Sequence, residues 1–225
     1  MATLAAYDAH ADWYEQYVSV TAAGFFDRVR PLVAELLGAG TGRCLDLCCG
    51  TGAHAALLRG LGWTPVGVDI SAGQLRYAAG RLPVAVGDAA ALPVASASVP
   101  AVVCLMAHTD LPDYPAVVHE AARVLRPGGR LVHLGVHPCF CGPFADRSDA
   151  GRIVVDSGYH RTGRRFDGWL SPQGVRIRVG AWHTKLATLL DAPLHAGLRL
   201  VRTAEAGPPD WVPDIFAFAA IKPGG

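Results

Sequence analysis

Short apolar runs alternate with amphipathic segments between residues 43 and 136. The runs are Arg43–Leu47, Thr64–Ile70, Val84–Val86, Ala101–Met106 and Arg130–Val136, and helical patterns separate them at Ala53–Gly60, at 71–81 and at Tyr114–Leu125. Strands that are apolar on both faces and alternate with helices are typical of a parallel sheet with helices on both faces. The pattern predicts an α/β fold, a Rossmann-like doubly wound sheet.

The flanking regions have different patterns. A helical pattern covers Phe25–Leu37, and the last part of the chain predicts a helix over 184–197 followed by two strands, Leu198–Ala204 and Ile215–Ile221. Residues 137–182 are rich in Gly, Arg, Pro and aromatic residues without a clear period, which indicates an insertion carrying a short strand at Val175–Val179. The insertion and the N-terminal helices therefore lie outside the alternating core.

Composition excludes several classes of protein. Of 225 residues, 51% are hydrophobic and 17% are charged, with a net charge of +1, so we expect a folded domain without a nucleic-acid partner. The longest apolar stretch, around 99–107, is shorter than the ~20 residues of a membrane span, and the N-terminus lacks the pattern of a signal peptide. We therefore expect a soluble cytoplasmic protein without membrane contact.

Three acidic residues follow predicted strands and accompany a glycine loop. Leu45-Asp-Leu-Cys-Cys-Gly-Thr-Gly52 runs from a strand into the loop, and Asp69 and Asp88 end the next two strands. Ligands of such sheets bind beyond the carboxyl ends of the strands, where an acid can accept both hydroxyls of a ribose. Gly50–Ala55 also fits a dinucleotide fingerprint, but a carboxylate at Asp46 would oppose a pyrophosphate.

These blocks together resemble the class I S-adenosylmethionine-dependent methyltransferases, with a methyltransferase-11-like domain of the small-molecule type. The resemblance rests on 46–52, Asp69, Gly87-Asp88, 123–130 and the aromatic lead-in from Tyr7 to Tyr14. It implies seven strands in the order 3-2-1-4-5-7-6, the last antiparallel. It also implies a single domain over 1–225, with a helical lid (1–40), a cofactor-binding core (41–136), an insertion or substrate cap (137–182) and a closing helix with strands (183–225).

The resemblance also assigns residues to S-adenosylmethionine and to its product, S-adenosyl-L-homocysteine. The cofactor-binding residues are expected to be Tyr14, Asp46, Cys48, Gly50, Gly52, Asp69, Ile70, Asp88, Ala89 and Met106. The family usually has glycine where this chain has Cys48.

Histidines and aromatic residues supply candidates for the acceptor side. His108 and His137 follow the fourth and fifth predicted strands and are candidate general bases, because imidazole titrates near neutral pH. The substrate-binding candidates are Tyr7, Trp13, His160 and Trp182. Cys139 and Cys141 lack the spacing of a zinc site, so no metal is expected.

The sequence therefore predicts methyl transfer from S-adenosylmethionine to a small-molecule acceptor by a monomer or homodimer. O-methylation of an aromatic or polyketide-like specialised metabolite is the first expectation, followed by N- and C-methylation. Two alternatives remain: an NAD(P)-dependent oxidoreductase, and a catalytically inactive protein that binds S-adenosylmethionine and acts as a partner. The first lacks a Tyr-x-x-x-Lys pair, since the only lysines are Lys185 and Lys222.

Overall fold

A seven-stranded sheet forms the centre of the molecule. The structure is a computed structural model that describes residues 5–149, 151–166 and 174–224. The sheet strands are β1 (Arg43–Leu47), β2 (Thr64–Asp69), β3 (Val84–Val86), β4 (Val99–Leu105), β5 (Leu125–Val136), β10 (Arg199–Ala206) and β11 (Ile215–Ile221). Two short antiparallel pairs lie outside it, β6 (Ala145–Asp149) with β7 (Arg152–Val155) and β8 (Arg164–Arg165) with β9 (Ala181–Trp182).

The order of the strands is β3-β2-β1-β4-β5-β11-β10. Strands β1 to β5 pair in parallel, whereas β11 is antiparallel to both β5 and β10. Numbered within the sheet, this order is 3-2-1-4-5-7-6. The predicted fold class and the predicted reversed last strand are therefore confirmed.

Seven α-helices accompany the strands in the described residues. They are α1 (Ala11–Gln16), α2 (Ala23–Leu37), α3 (Ala55–Gly60), α4 (Ala72–Ala78), α5 (Tyr114–Val124), α6 (Val175–Val179) and α7 (Leu186–His195). Ser71 caps α4 as predicted, because its Oγ accepts the N–H of Gln74 at 3.2 Å. In that described part, no helix has the length and apolarity of a bilayer-spanning segment.

Neighbouring residues of each central strand belong to different cores. Leu45 and Val102 pack in a cluster with α5 and α7, whereas Cys44 and Val103 pack in a second cluster with α2 and α3. Successive side chains of a strand point to opposite faces, so a sheet covered on both sides needs uninterrupted apolar strands. This explains the continuous apolar runs of the sequence.

The predicted strand at Val175–Val179 is wrong, since this segment is helix α6. A strand would place residues 175, 177 and 179 on one face, but Val179 is 3% exposed and Ile177 is 43% exposed. The side chain of Arg176, three residues before Val179, is 15% exposed, and its guanidinium donates to Asp110 at 2.6 Å. A spacing of three is helical, and a tertiary ion pair holds the segment in that form.

Candidate active site

A cavity of about 360 Å³ lies beyond the carboxyl ends of β1, β2, β3 and β4. The loops after these strands form its floor, the N-terminal helices cover one side, and the cap around β8, α6 and β9 covers the other. This volume falls within the range of small-molecule sites, about 300–1,000 Å³. Ten of the residues that the sequence singles out line it: Tyr7, Tyr14, Cys48, Gly50, Asp69, Ile70, Asp88, Ala89, Met106 and Trp182.

Asp69 holds the glycine loop in place. Its Oδ2 accepts the N–H of Gly50 and its Oδ1 accepts the N–H of Ser71, both at 2.8 Å. Gly50 has a φ of +54°, and a Cβ there would lie 2.9 Å from Oε1 of Gln74. The loop therefore requires glycine at this position both for its backbone and for its close packing.

Three buried side-chain atoms in or beside the loop have no hydrogen-bond partner within residues 5–149, 151–166 and 174–224. They are Oδ2 of Asp46, which is 1% exposed beneath the loop, Oγ1 of Thr51, and Nε2 of Gln74, which lines the cavity. Burial, and then the nearby Asp69, raises the pKa of Asp46 to about 7. Buried polar atoms are normally paired, so the free donor of Gln74 in the cavity wall fits a ligand that brings an acceptor, such as an amino acid joined to a ribose.

Gly52 and Asp46 belong to the loop but do not line the cavity. A Cβ on Gly52 would lie 2.7 Å from Cδ2 of Leu82, and the φ of Gly52 is +78°. Gly52 thus allows the loop to pack against α4. Cys48 lines the cavity with a φ of +55°, a region that glycine adopts without strain.

The far end of the floor comes from the turns after β2 and β3. Ile70 is 54% exposed and, with Asp88 and Ala89, borders the cavity. Asp88 accepts the N–H of Ala90 at 2.9 Å through Oδ1. An exposed apolar side chain beside a carboxylate suits a flat heterocycle that carries an amino group.

The N-terminal helices are fastened to α4 by three acidic residues, which we call the acidic latch: Asp8, Asp12 and Glu15. Asp8 accepts hydrogen bonds from Oγ of Ser71 at 2.7 Å and from the N–H of Gly73 at 3.0 Å. Glu15 pairs with Arg81, whose Nη1 lies 3.0 Å from Oε2, and Asp12 pairs with Arg76. The latch keeps Tyr7 and Tyr14 over the cavity, their rings 5.1 Å apart and edge to face.

Trp13 is not part of the cavity wall, contrary to expectation. Its ring stacks on Tyr17 with centroids 5.1 Å apart, and the guanidinium of Arg178 lies 4.3 Å from its centroid. On a helix, residues 13 and 14 point in different directions, so the ring of Tyr14 reaches the cavity and that of Trp13 does not.

An ion pair between Asp110 and Arg176 joins three separate segments at the cavity. Oδ1 of Asp110 accepts hydrogen bonds from Nη1 of Arg176 at 2.6 Å and from the hydroxyl of Tyr7 at 3.1 Å. Nη2 of Arg176 donates to Oγ1 of Thr109 at 2.5 Å. The side chain of Asp110 is 24% exposed and lines the cavity, and no hydrogen bond within the described ranges engages its Oδ2.

Sequence reasoning missed this pair. Asp110 lies in the short turn after β4, two residues beyond His108, so its position after a strand was a usable signal. Arg176 had no such signal, because the alternating pattern around it suggested a strand.

The predicted histidine bases lie outside the cavity wall. Nε2 of His137 pairs with Oε1 of Glu205 at 2.7 Å, and its Nδ1 accepts the N–H of Cys139 at 3.1 Å. His108 is 2% exposed beside His133, with ring centroids 5.2 Å apart, and burial holds its pKa well below the usual range. Neither imidazole lines the space where an acceptor fits.

His160 is also absent from the cavity wall, whereas one unpredicted histidine is present. His160 ends a short turn in the cap with its ring edge-on to Tyr159. His54 follows the glycine loop and lines the cavity, and burial lowers its pKa to about 4, so it is neutral at pH 7. Within the described ranges, no group of three His, Cys, Asp or Glu residues is arranged to hold a metal ion.

Comparisons with known proteins agree with this geometry. Residues 45–133 match the family described as a methyltransferase domain. A demethylmenaquinone methyltransferase of Mycobacterium sp. (strain KMS) is 38% identical over 130 residues, 56% of each chain. A malonyl-[acyl-carrier protein] O-methyltransferase of Methylococcus capsulatus is 40% identical over 103 residues, 42% of this chain and 38% of that one. The chain therefore spans about half the length, or less, of the curated relatives it matches.

Solved structures extend the similarity to the rest of the fold. An S-adenosylmethionine-dependent methyltransferase from Mesorhizobium loti has a TM-score of 0.71 and 22% identity, covering 85% of this chain and 96% of that one. The geranyl diphosphate C-methyltransferase from Streptomyces coelicolor A3(2), solved with S-adenosyl-L-homocysteine, has a TM-score of 0.64 at 16% identity and covers 87% and 77%. At these identities, the structural similarity concerns the fold.

Proposed function

We propose that this chain, a class I S-adenosylmethionine-dependent methyltransferase by its domain and its fold, methylates a small molecule. One observation carries the proposal: a single cavity joins the loop held by Asp69 to an apolar wall that includes Trp182, Leu111 and Pro112. The first part suits an adenosyl amino acid, and the second suits a flat acceptor. Donor and acceptor can thus be aligned in one enclosed space, which accounts for about 7–11 kcal/mol of barrier lowering.

Different residues of the cavity floor bind different parts of the cofactor. Asp69 accepts the ribose hydroxyls, and Asp88 with Ala89 borders the adenine while Ile70 packs against it. The loop at Gly50 receives the methionine part, above Asp46. When bound, the sulfonium supplies an electrophilic methyl group. Tyr14 covers it from the lid, and Met106 flanks it from the end of β4.

The acceptor loses its proton to Asp110. For a hydroxyl acceptor, S-adenosylmethionine would supply the methyl group, and the free Oδ2 of Asp110 would take up the hydroxyl proton. Arg176 and Tyr7 hold Oδ1 and so fix the orientation of Asp110. A carboxylate can accept this proton because the oxygen becomes strongly acidic as it is methylated. Asp110 replaces the predicted histidines in this role.

The acceptor class follows from the wall of the cavity and from the relatives. Apolar and aromatic side chains favour a ring, and we infer O-methylation of an aromatic or polyketide-like specialised metabolite, before N- or C-methylation. The mycobacterial relatives are named for demethylmenaquinone, so an aromatic quinol is a suitable probe. The single-domain division, a monomeric or homodimeric state and a cytoplasmic location remain predictions.

Calorimetric titration with S-adenosylmethionine, S-adenosyl-L-homocysteine and NAD tests the proposal first. Micromolar binding of the two adenosyl ligands without binding of NAD supports it, and binding of NAD alone would favour the oxidoreductase. Transfer of a labelled methyl group to 1,4-naphthoquinol, catechol, 2-naphthol and 1-naphthylamine then separates the O-, N- and C-acceptors. A protein that binds cofactor and methylates none of a broad acceptor library would support the inactive partner instead.

A further inference from the structure

An open groove of about 400 Å³ lies next to the cavity, on the outer side of Trp182. Trp182, Leu111 and Pro112 line both spaces, so the side chain of Trp182 stands between them. The groove continues to the beginning of α7, where Thr162, Thr184 and Lys185 line it. An acceptor longer than one ring can therefore extend from the cavity into the groove.

Lys185 gives the groove its charge. Among the described residues, Lys185 is the single Lys or Arg that lines the groove, and no described aspartate or glutamate lines it. Its ammonium makes no hydrogen bond and no ion pair within residues 5–149, 151–166 and 174–224. The other lysine, Lys222, donates to the carbonyls of Ala122 and Leu125, both at 2.7 Å. One lysine thus has a structural role, and the other faces a groove without a partner.

The remaining polar groups of the groove are neutral. Burial, and then the charge of Lys185, lowers the pKa of His183, so its imidazole adds no charge at pH 7. Nε2 of His183 is buried without a partner, and Thr188 adds a third threonine hydroxyl to the wall. Neutral hydrogen-bonding groups around one cation are complementary to an anion.

A second cation borders the route into the cavity. Arg164 is the cross-strand partner of Trp182 in the β8–β9 pair, so the two side chains lie on the same face. Its Nε donates to the carbonyl of Val179 at 2.9 Å, and its guanidinium lines the cavity. Trp182 therefore borders a cavity that Arg164 lines and a groove that Lys185 lines.

We propose that the groove binds a carboxylate or phosphate group of the methyl acceptor, held by Lys185, while the ring of the acceptor packs on Trp182. The inference rests on the proposed function and adds a chemical class to it: the acceptor is an anionic aromatic molecule. A neutral ring of the same size leaves Lys185 without its partner and binds more weakly.

Calorimetry on the protein saturated with S-adenosyl-L-homocysteine tests this with 2-naphthoate, 2-naphthyl phosphate and 2-naphthol. We expect at least one of the anions to bind about tenfold more tightly than 2-naphthol, because a charged hydrogen bond is stronger than a neutral one. Lys185→Gln is expected to remove most of that difference, and Lys185→Arg to restore part of it. Trp182→Ala is expected to weaken all three probes. The better of the two anions identifies the acidic group.

Arg161→Gln provides a matched control, because Arg161 is an exposed cation of the same cap that does not line the groove. It is expected to leave the preference for anions unchanged. Equal affinity for 2-naphthol and both anions, an unchanged preference in Lys185→Gln, or no binding of any naphthyl probe would overturn the proposal. Failure to bind S-adenosyl-L-homocysteine would instead contradict the proposed function, so the two failures are distinguishable.

Discussion

At the scale of single residues, the carboxylate of Asp69 both holds the glycine loop and is proposed to bind the cofactor. Each oxygen accepts one backbone N–H, from Gly50 or Ser71, and together they join the glycine loop to the start of α4. In the proposed binding mode, a bound ribose would add its hydroxyls to the same carboxylate. The side chain therefore orients the loop before the cofactor arrives.

Asp69→Ala should weaken binding of S-adenosyl-L-homocysteine by about 1–3 kcal/mol, because charged hydrogen bonds are lost and the loop is released. Calorimetry at pH 7 measures the loss. Asp191→Ala is the control, since Asp191 is exposed on α7 away from the cavity. Unchanged affinity in Asp69→Ala would show that the cofactor binds elsewhere.

Asp110→Asn tests the proton acceptor. Asparagine keeps the shape of the side chain but cannot take up the proton, so methyl transfer to a hydroxyl acceptor should slow by roughly 10²- to 10⁴-fold. Affinity for S-adenosyl-L-homocysteine should stay within about threefold, because Asp110 lies on the acceptor side. Asp113→Asn is the control. It should retain full activity, because Asp113 caps the start of α5 and asparagine serves equally well as an N-cap. If Asp110→Asn transferred the methyl group at the wild-type rate, Asp110 would not be the proton acceptor.

The sequence predicts the cofactor side of the site better than the acceptor side. Asp69 ends the buried strand β2 and Asp88 follows the edge strand β3, and the strand direction alone brings them to one edge of the sheet. The orientation of His137 depends on Glu205, a residue of β10, and the place of β10 beside β11 is not a local property. Local sequence patterns therefore predict where a strand ends. They do not predict where the side chain after the strand points, because its partner is a residue that only the tertiary fold brings near.

At the scale of elements, the acidic latch is a feature of helical spacing. Its residues, 8, 12 and 15, are four and three positions apart and share one helical face, which meets α4. The sequence indicates an aromatic lid here, and the three acidic residues attach this lid to the rest of the protein. Docking of the lid is thus electrostatic, and it depends on pH and salt.

Asp8→Asn should weaken binding of S-adenosyl-L-homocysteine at neutral pH, and the difference from the wild type should shrink as the pH falls below about 4. The hydrogen bonds from Ser71 and Gly73 lower the pKa of Asp8. A lowered pKa means that the carboxylate stabilises the docked lid fully above its ordinary pKa of about 3.9, and that this stabilisation is lost as pH falls through the lower value. Parallel titrations at about pH 7, 4 and 3 measure the difference, and a constant difference would exclude ionisation of Asp8 as the cause.

At the scale of the whole molecule, the regular alternation of apolar runs and helices predicts the parallel sheet, and the resemblance to the methyltransferase family implies its strand order. The cap does not follow in the same way. Its segments are short, and α6 is held by the distant Asp110 rather than by its own pattern. A regular alternation of strands and helices can be predicted from local sequence patterns. The structure of an insertion cannot, because it depends on the surface that the insertion covers.

Buried histidines should make the stability of the fold depend on pH. Burial lowers the pKa of His54 to about 4 and of His133 to about 3, and it holds that of His108 well below its usual range. Below about pH 6.5 the unfolded chain takes up these three protons and the folded chain does not, so acid destabilises the fold. Asp46 opposes this with one proton, because its pKa is raised when folded.

Two net protons give a slope of about 2.7 kcal/mol per pH unit between roughly pH 6 and 4.5, with lower stability at lower pH. Urea unfolding at pH 7, 6 and 5 measures the slope without added cofactor. His195→Gln, on the exposed end of α7, should leave the slope nearly unchanged, whereas His54→Gln should reduce it. A flat profile would mean that these imidazoles are protonated in the folded chain.

The position of β11 has a consequence for biosynthesis. This strand follows the other six sheet strands in the chain, yet it lies inside the sheet, between β5 and β10. Until residues 215–221 leave the ribosome, β5 has an open edge and β10 has no strand to pair with. The nascent chain therefore exposes an unpaired, apolar strand edge up to that point, which is the state in which chaperones protect chains from aggregation. A chain stalled on the ribosome before these residues would leave β10 unpaired beside an incomplete sheet.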